Sequence, residues 1–386
     1  MKIVGIGIIA FAFLLGFYAY FLYPALLWLV ARIRGYRPAA KDPAEWPFIS
    51  ISLPVYNEEA QIAEVIESLL AIDYPPDRRQ ILVISDGSND RTIEIASSYA
   101  DRGVEVLPLQ ERAGKTAAEN AGARLLRGDI VINTDASVRI HPAAVKALIR
   151  QFNDPGVGVA SGRDVSVARV SDDANVGEGG YVGYEMWIRS LETAVSGIVG
   201  ASGCFYAIRR HLHLVGLPES LSRDFAAPLI AREHGFRAVS VDEALCFVPR
   251  TKSLHREYRR KVRTITRGME TLFYKRHLLN PFRYGSFAWM LFSHKVCRWA
   301  VPWAALLGVI GLGMVTIADP RATLIMLAAL AAIVWGAIGW LLADRVALPR
   351  LLSLPAFALV GNAAAIHASV RAMQGERNPM WEPTRR

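Results

Sequence analysis

The chain has 386 residues, 52% of them hydrophobic and 20% charged, with a mean hydropathy of +0.24. It is too apolar for one soluble domain and too charged for a bundle of membrane helices alone. Its net charge of +9 fits a nucleic-acid, anionic-lipid or phosphorylated partner. The basic residues crowd beside the hydrophobic segments, which favours a membrane surface over nucleic acid. Cys204, Cys246 and Cys297 stand far apart with no CxxC pair, so neither a zinc site nor a disulfide framework is implied. They read as buried or interfacial free thiols.

Residues Ile3 to Val30 are almost uninterruptedly apolar, long enough to span a bilayer, which takes ~20 such residues. A cleaved signal peptide would carry a shorter apolar core and a small-residue cleavage site. Here Tyr18, Tyr20, Tyr23 and Trp28 continue the run, and Arg32, Arg34 and Arg37 come after it. Residues 1–36 therefore read as an uncleaved anchor, with the arginines placing the middle of the chain in the cytosol.

A short linker leads to a globular region over residues 47–254. PFISISLPVY is a predicted strand. EEAQIAEVIESLLAI carries Ile62, Val65, Ile66, Leu69 and Leu70 at helical spacing. QILVISDGS is a second strand ending in turn residues. DRTIEIASSYA is a helix with Asp90 as its predicted N-cap. GVEVLPL, a helix through Asn120 to Leu126, and the strand DIVINTDAS continue the series. This alternation argues for an α/β domain with a mostly parallel sheet and helices on both faces. Ligands then bind at the carboxyl ends of the strands.

From His255 the character changes. Tyr258, Val262, Ile265, Met269 and Leu272 mark one helical face, and Arg256, Arg260, Arg263 and Arg267 mark the opposite one. Residues 255–297 read as interfacial amphipathic helices. Residues 298–372 hold the C-terminal membrane segments: Trp299 to Ala318, Ala322 to Ala343, and Leu351 to Val370, the last weakened by Asn362 and His367. Residues 373–386 form a basic tail. Four crossings from an outer N-terminus would leave that tail outside, whereas Arg371, Arg377, Arg385 and Arg386 favour the cytosol. Either the last segment lies in the interface or the charge rule fails here, and the reading leans to a cytosolic tail.

Four polar clusters fall where a strand-end site would collect them: Pro54 to Glu59, Asp86 to Asp90, Asp135 to Ser137, and Asp224 within SRDFAAPLIAREHGFR. Singly, each reads as an ordinary turn or cap. As an ordered set they point to a site. Gly177 to Gly183 lacks the strand–turn–helix frame of a phosphate loop and reads as a flexible acceptor-side loop. His211, His213, His234 and His255 share no helical spacing and read as structural or surface residues, while His294 reads as interfacial.

These ordered motifs resemble glycosyltransferase family 2, in its integral-membrane branch with synthases of hyaluronan and cellulose, over roughly residues 48–300. The resemblance implies a GT-A catalytic domain (Rossmann-like), cytosolic, with N- and C-terminal transmembrane helices, in the inner or plasma membrane. It implies a hexosyltransferase. Pro54, Val55, Tyr56, Asn57, Glu58, Asp86, Lys115 and Asp135 match its nucleotide-binding positions. Asp135 matches the first acid of the DxD motif and would hold the metal, Mg²⁺ or Mn²⁺. Asp224 matches the general base, and Gly200 to Tyr206, with Gly203, Cys204 and Phe205 at its centre, the acceptor loop. Arg260 and Arg263 stand in the place of the QxxRW diphosphate clamp.

Three departures stand out. The DxD motif is Asp135-Ala136-Ser137, the acid before the base is Arg223, and QxxRW has lost its Gln and Trp to Arg260 and Thr264. The implied reaction is an inverting transfer from a nucleotide-diphosphate sugar, UDP by default, to a growing cell-surface polysaccharide or glycolipid. The missing Trp favours the alternative of a single transfer to a polyprenyl-linked acceptor, while C-terminal segments able to line a channel favour a processive synthase. The altered acids leave a third reading, a catalytically weak nucleotide-sugar-binding scaffold. The implied partners are the nucleotide sugar, the polysaccharide or lipid-linked acceptor and membrane lipid, and not nucleic acid.

Overall fold

The structure is a computed structural model that describes residues 1–35, 40–167, 176–249, 253–346 and 348–376. Arg37, Arg377, Arg385 and Arg386, and with them most of the 373–386 tail, lie outside the described residues.

A long helix, α1 (Lys2–Arg34), opens the chain. The α/β unit comes next in the order β1 (Ile49–Val55), α2 (Ile62–Leu70), β2 (Arg79–Ser85), α3 (Thr92–Ser97), β3 (Val104–Pro108), α4 (Lys115–Gly122), β4 (Ile130–Thr134), β5 (Arg139–Ile140), α5 (Ala144–Arg150) and β6 (Val157–Val167). It closes with α6 (Val176–Val195), β7 (Phe205–Arg209), α7 (Arg223–Glu233) and β8 (Arg237–Pro249). Then come α8 (Leu254–Tyr274), α9 (Ser286–Ala318), α10 (Thr323–Leu342) and α11 (Arg350–Met373).

The eight strands form one sheet in the order β3-β2-β1-β4-β7-β6-β8-β5. The half from β3 to β4 is parallel, as the strand–helix alternation requires. Strand β7 then joins β4 and β6 antiparallel, so the sheet is mixed. The central strands are buried almost throughout, and their side chains alternate between two cores, one under each helical layer. Ile81 and Val83 of β2 and Ile130 and Ile132 of β4 face one core with α2 and α5. Leu82, Ile84 and Val131 face the other with Ala118 of α4 and Ala226, Ala227 and Ile230 of α7.

Three local expectations change. The helix placed at Asn120 to Leu126 begins earlier, at Lys115, because Gly114 takes φ +100° and turns the chain into it. The N-cap position before α3 is Arg91, although Asp90 Oδ1 still accepts the Thr92 N–H at 3.0 Å. Gly177 to Gly183 is the first two turns of α6 rather than a loop. That helix packs on α1 and β8 through its later turns, from Glu185 onward, and the glycine turns, exposed at Gly180 and Gly183, extend it despite the low helix propensity of glycine.

Helices α1, α9 and α11, and the segment Pro320–Leu342 containing α10, are long and apolar enough to cross a membrane. Helix α1 packs along α9. A Cβ on Gly5 would lie 2.5 Å from the Gly311 carbonyl oxygen, so only glycine permits that approach. Helix α8 packs on α11. A third apolar cluster joins Tyr23 and Leu27 of α1, Ile188 of α6, Phe225 of α7, Leu272 of α8 and Met290 of α9, tying the long helices to the α/β unit.

Candidate active site

The loops after β1 and β2 are laced together at the carboxyl edge of the sheet. Pro54 and Val55 end β1, and Val55 is buried. The Asn57 N–H donates to Ser88 Oγ at 3.1 Å, Asn57 Nδ2 to Asn89 Oδ1 at 2.8 Å, and the Asn89 N–H back to Asn57 Oδ1 at 3.0 Å. Asn57 takes φ +52°, a left-handed conformation that Asn tolerates. Its neighbour Glu58 is buried, and its N–H donates to Thr92 Oγ1 at 2.8 Å. Burial raises the Glu58 carboxyl above its ordinary pKa, against the lowering effect of its hydrogen bond from Gln61. Tyr56 presents its ring to the Arg112 guanidinium, 3.9 Å from the ring centroid.

Asp86 organises the next loop. Its two carboxylate oxygens accept the N–H groups of Ala113 (2.8 Å) and Gly114 (2.9 Å). Gly87, at φ +68°, packs so closely that a Cβ would meet the Arg112 nitrogen at 2.7 Å. The consequence is a fixed entry into α4 and a fixed origin for Lys115.

Lys115 Nζ donates to Asp135 Oδ1 at 2.5 Å and to the Gly203 carbonyl at 3.3 Å, and lies 3.9 Å from Glu119 Oε1. Burial alone would lower the lysine pKa, but Asp135, Glu119 and Asp224 overcome it and hold the ammonium above its ordinary value. Lys115 is therefore charged throughout the neutral range. Asp224 lies in the first turn of α7, where the helix dipole favours a carboxylate, and Ser222 Oγ donates to its Oδ1. A Cβ on Gly203 would come within 3.0 Å of Asp224 Oδ2. The pairing of Thr134 with Phe205 sets Asp135 beside the 203–204 loop. Lys115, Asp135, Gly203 and Asp224 thus converge from four separate parts of the chain.

The acceptor-loop residues divide. Phe205 is fully buried and anchors β7 in the core. Gly203 and Cys204 remain at the rim, where Ser202 Oγ accepts the N–H groups of Cys204 and Phe205 and donates to Asp164 Oδ1 at 2.6 Å. Burial raises the Asp164 pKa, with Arg189 opposing it.

Arg223 fills the place of the usual acid and turns inward. It donates to the His213 carbonyl at 2.9 Å and to Asn120 Oδ1, and its Nε lies 3.6 Å from Glu119 Oε2. It supplies counter-charge beneath the site. Burial still holds Glu119 above the ordinary carboxylate pKa, with Lys115 and Arg223 opposing.

The arginine stripe of α8 is not equivalent along its length. Arg260 makes a two-point contact with Glu257, at 2.8 and 2.9 Å. Arg263 lines a pocket of mixed charge with Arg259, Arg267 and Arg371 and with Glu270 and Glu376. Arg267, which the motif comparison passed over, reaches the site, donating to Thr116 Oγ1 (2.8 Å) and to the Leu221 carbonyl (2.6 Å). Its signal was its place in the stripe, one turn beyond Arg263. His294 is buried between Glu192 (2.6 Å) and Glu185 (3.0 Å) rather than interfacial. Among the described residues no three Asp, Glu, His or Cys side chains converge as a metal-holding group. Asp135, the residue assigned to the metal, is bound to the Lys115 ammonium, so the described donors do not build a metal cage.

The sequence profile of glycosyl transferase family 2 matches residues 50–210. An N-acetylglucosaminyltransferase from a Rhizobium species is 26% identical over 231 residues, 54% of this chain and 50% of that protein. A beta-monoglucosyldiacylglycerol synthase of Trichormus variabilis is 27% identical over 42% of this chain and 36% of its own length. A dodecaprenyl-phosphate galacturonate synthase of Rhizobium johnstonii is 28% identical over 32% of this chain and 36% of its own. The chain spans about half or less of the length of these curated relatives. A solved mannosyltransferase of Pyrobaculum calidifontis, in complex with GDP-Man and Mn²⁺, shares the fold with a TM-score of 0.73 at 21% identity, over 96% of this chain and 99% of that one.

Proposed function

Residues 50–210 make this chain a member of glycosyltransferase family 2 with a GT-A fold, and from that premise we propose that it carries out an inverting transfer from a nucleoside-diphosphate sugar to a membrane-held acceptor. The observation that carries this reading is the convergence of Lys115, Asp135 and Asp224 around Gly203.

Each residue has a task that its environment supports. The laced loops at Tyr56 to Glu58, with Arg112 over Tyr56, form a rigid, flat-sided seat for the nucleoside. Lys115 and Arg267 face the charge that develops on the departing diphosphate. Arg263 adds a planar, phosphate-matching group in the adjoining pocket. Asp224 takes the proton of the acceptor hydroxyl as its oxygen bonds to the anomeric carbon. The anomeric carbon–oxygen bond breaks with its electron pair leaving on the nucleoside diphosphate. One displacement inverts the anomeric configuration. Mg²⁺ or Mn²⁺ suits this chain as a companion of the donor's diphosphate rather than as an ion caged by the protein. The Pyrobaculum protein's GDP-Man and the UDP default set the first donors to try.

Four long apolar helices support membrane attachment, and the arginines at the end of α1 support a cytosolic catalytic face. The test is a screen of nucleotide sugars against the full chain in lipid nanodiscs, reading nucleoside diphosphate release. Turnover that vanishes in Asp224→Asn, with donor binding retained, supports the assignment. Donor binding without any turnover would support the scaffold reading instead.

A further inference from the structure

Helix α9 buries an arginine that the chain satisfies only in part. Arg298 is 8% exposed, on a helix apolar enough to cross a membrane. Its Nη1 donates to Glu185 Oε2 at 2.9 Å, and the guanidinium lies near the rings of Tyr184 (5.4 Å) and Tyr20 (5.6 Å). Its Nε and Nη2 are buried with no hydrogen-bond partner among the described residues. Leaving a buried donor unpaired costs about 1–3 kcal/mol, and more for a charged group. Ionisable groups on membrane helices mark functional sites.

Arg298 lines a cavity of about 420 Å³ between α8, α9 and α11. Lys261 and Lys295 join it there, and among the described residues no acidic side chain lines the cavity. Lys261 is engaged by Glu257 at 3.2 Å. The remaining wall is apolar, with Trp299, Pro302 and Phe357. Two of the long helices carry a π-helical turn beside the cavity, Tyr18–Leu22 in α1 and Phe292–Cys297 in α9. Tyr18 OH and Ser293 Oγ join the two turns at 2.6 Å. Such turns widen a helix locally and recur at functional sites.

Lys295 links the cavity to the catalytic cluster. Its Nζ lies 5.4 Å from the centroid of the Phe225 ring, and Phe225 is next in sequence to Asp224. A Cβ on Gly200, in the acceptor loop, would stand 3.4 Å from the same Nζ.

We propose that this cavity binds the phosphate headgroup of a lipid, with the hydrocarbon chain against Trp299, Pro302 and Phe357. On the transferase reading given above, that lipid is the acceptor. Phosphate is the chemistry that satisfies two unpartnered guanidinium nitrogens and a nearby ammonium at once. The apolar wall makes a lipid the source rather than free phosphate. A neutral headgroup without acceptor oxygens at this point would leave the Arg298 Nε and Nη2 donors unpaired, since Glu185 engages only Nη1.

The test uses the full chain in nanodiscs of uncharged lipid, titrated with dodecyl phosphate, dodecanol and inorganic phosphate, alongside nucleotide-sugar turnover. Dodecyl phosphate is expected to bind at least tenfold more tightly than either of the others. Arg298→Gln and Lys295→Gln are each expected to weaken it about tenfold. Lys295→Gln is the safer variant, because Lys295 is only partly buried. Equal binding of dodecyl phosphate and dodecanol, or inorganic phosphate binding as tightly as dodecyl phosphate, overturns the proposal. So does undiminished binding in Lys295→Gln. A wild-type chain that turns over nucleotide sugars but shows no preference for the phosphate lipid keeps the transferase reading and loses this site. A chain with that preference but no turnover keeps the lipid site and loses its role as acceptor.

Discussion

The two sides of α8 are finished to different degrees. On the side of Arg263 and Arg267, the loops of the sheet have their polar groups largely committed: Asp86 to two amides, Asp135 to Lys115, Asn57 to the neighbouring loop. On the side of Lys261 and Ile265, Arg298 has two donors without partners among the described residues, above an apolar wall. A site whose geometry is set before the ligand arrives loses little freedom on binding. A site with orphaned donors depends on its occupant to complete it. The contrast gives the donor side a preorganised role and leaves the opposite side waiting for an anion.

The sharpest test of the donor side is Asp224→Asn. Loss of a general base costs typically ~10²–10⁴-fold, so kcat should fall by about a thousandfold while donor affinity stays within a few fold. Retained turnover would move the base elsewhere, with Asp164 the next carboxylate to examine.

Lys115→Met should reduce kcat/KM by about a hundredfold, the scale of one lost oxyanion-type donor, and weaken nucleoside diphosphate binding. Steady-state kinetics with calorimetry of the diphosphate would check both. Further along α8, Arg267→Gln and Arg263→Ala should each lose about tenfold in kcat/KM, or roughly 1.4 kcal/mol. Arg260→Ala should stay within about twofold, since its guanidinium is held by Glu257. A reversed order would place the clamp at Arg260.

Glu119 supplies a pH test. Burial raises its folded pKa, so between the unfolded value, near 4.3, and the raised one the native chain holds the extra proton. Stability from this group is then lost as pH rises through that window. The melting temperature of Glu119→Gln relative to wild type should therefore be higher at pH 7 than at pH 4. A difference that is flat across that range would show that Lys115 and Arg223 fully offset the burial.

A small effect, on donor binding alone, belongs to Arg112→Ala. Removing a stacked cation from Tyr56 is worth about 0.5–1 kcal/mol, a few-fold in donor KM at unchanged kcat. A kcat effect instead would tie Arg112 to the chemistry.

Much of this molecule is set by short-range patterns. The alternating run at Ile49 to Val55 and the continuous apolar run at Ile81 to Ile84 needed only their neighbours to become buried strands, and the turn residues after them were bound to meet at one edge of a parallel sheet. Hydropathy marked the long helices for the same reason, since length and apolarity are local sums. The rest depends on residues far apart in the chain. Gly177 to Gly183 is helical as the extension of a helix whose packed part, from Glu185 onward, lies on α1 and β8. Arg223 faces inward because Glu119, a hundred residues earlier, lies under it. Asp135 meets an ammonium because α4 begins beside the end of β4. The pairing of Lys295 with Phe225 exists only where α7 packs on α9, and the unsatisfied face of Arg298 only where α8, α9 and α11 close on one cavity. Sequence spacing specifies which face of an element a side chain occupies. Only the packing of one element on another decides what that face meets, and in this chain those meetings set the charges of the candidate site.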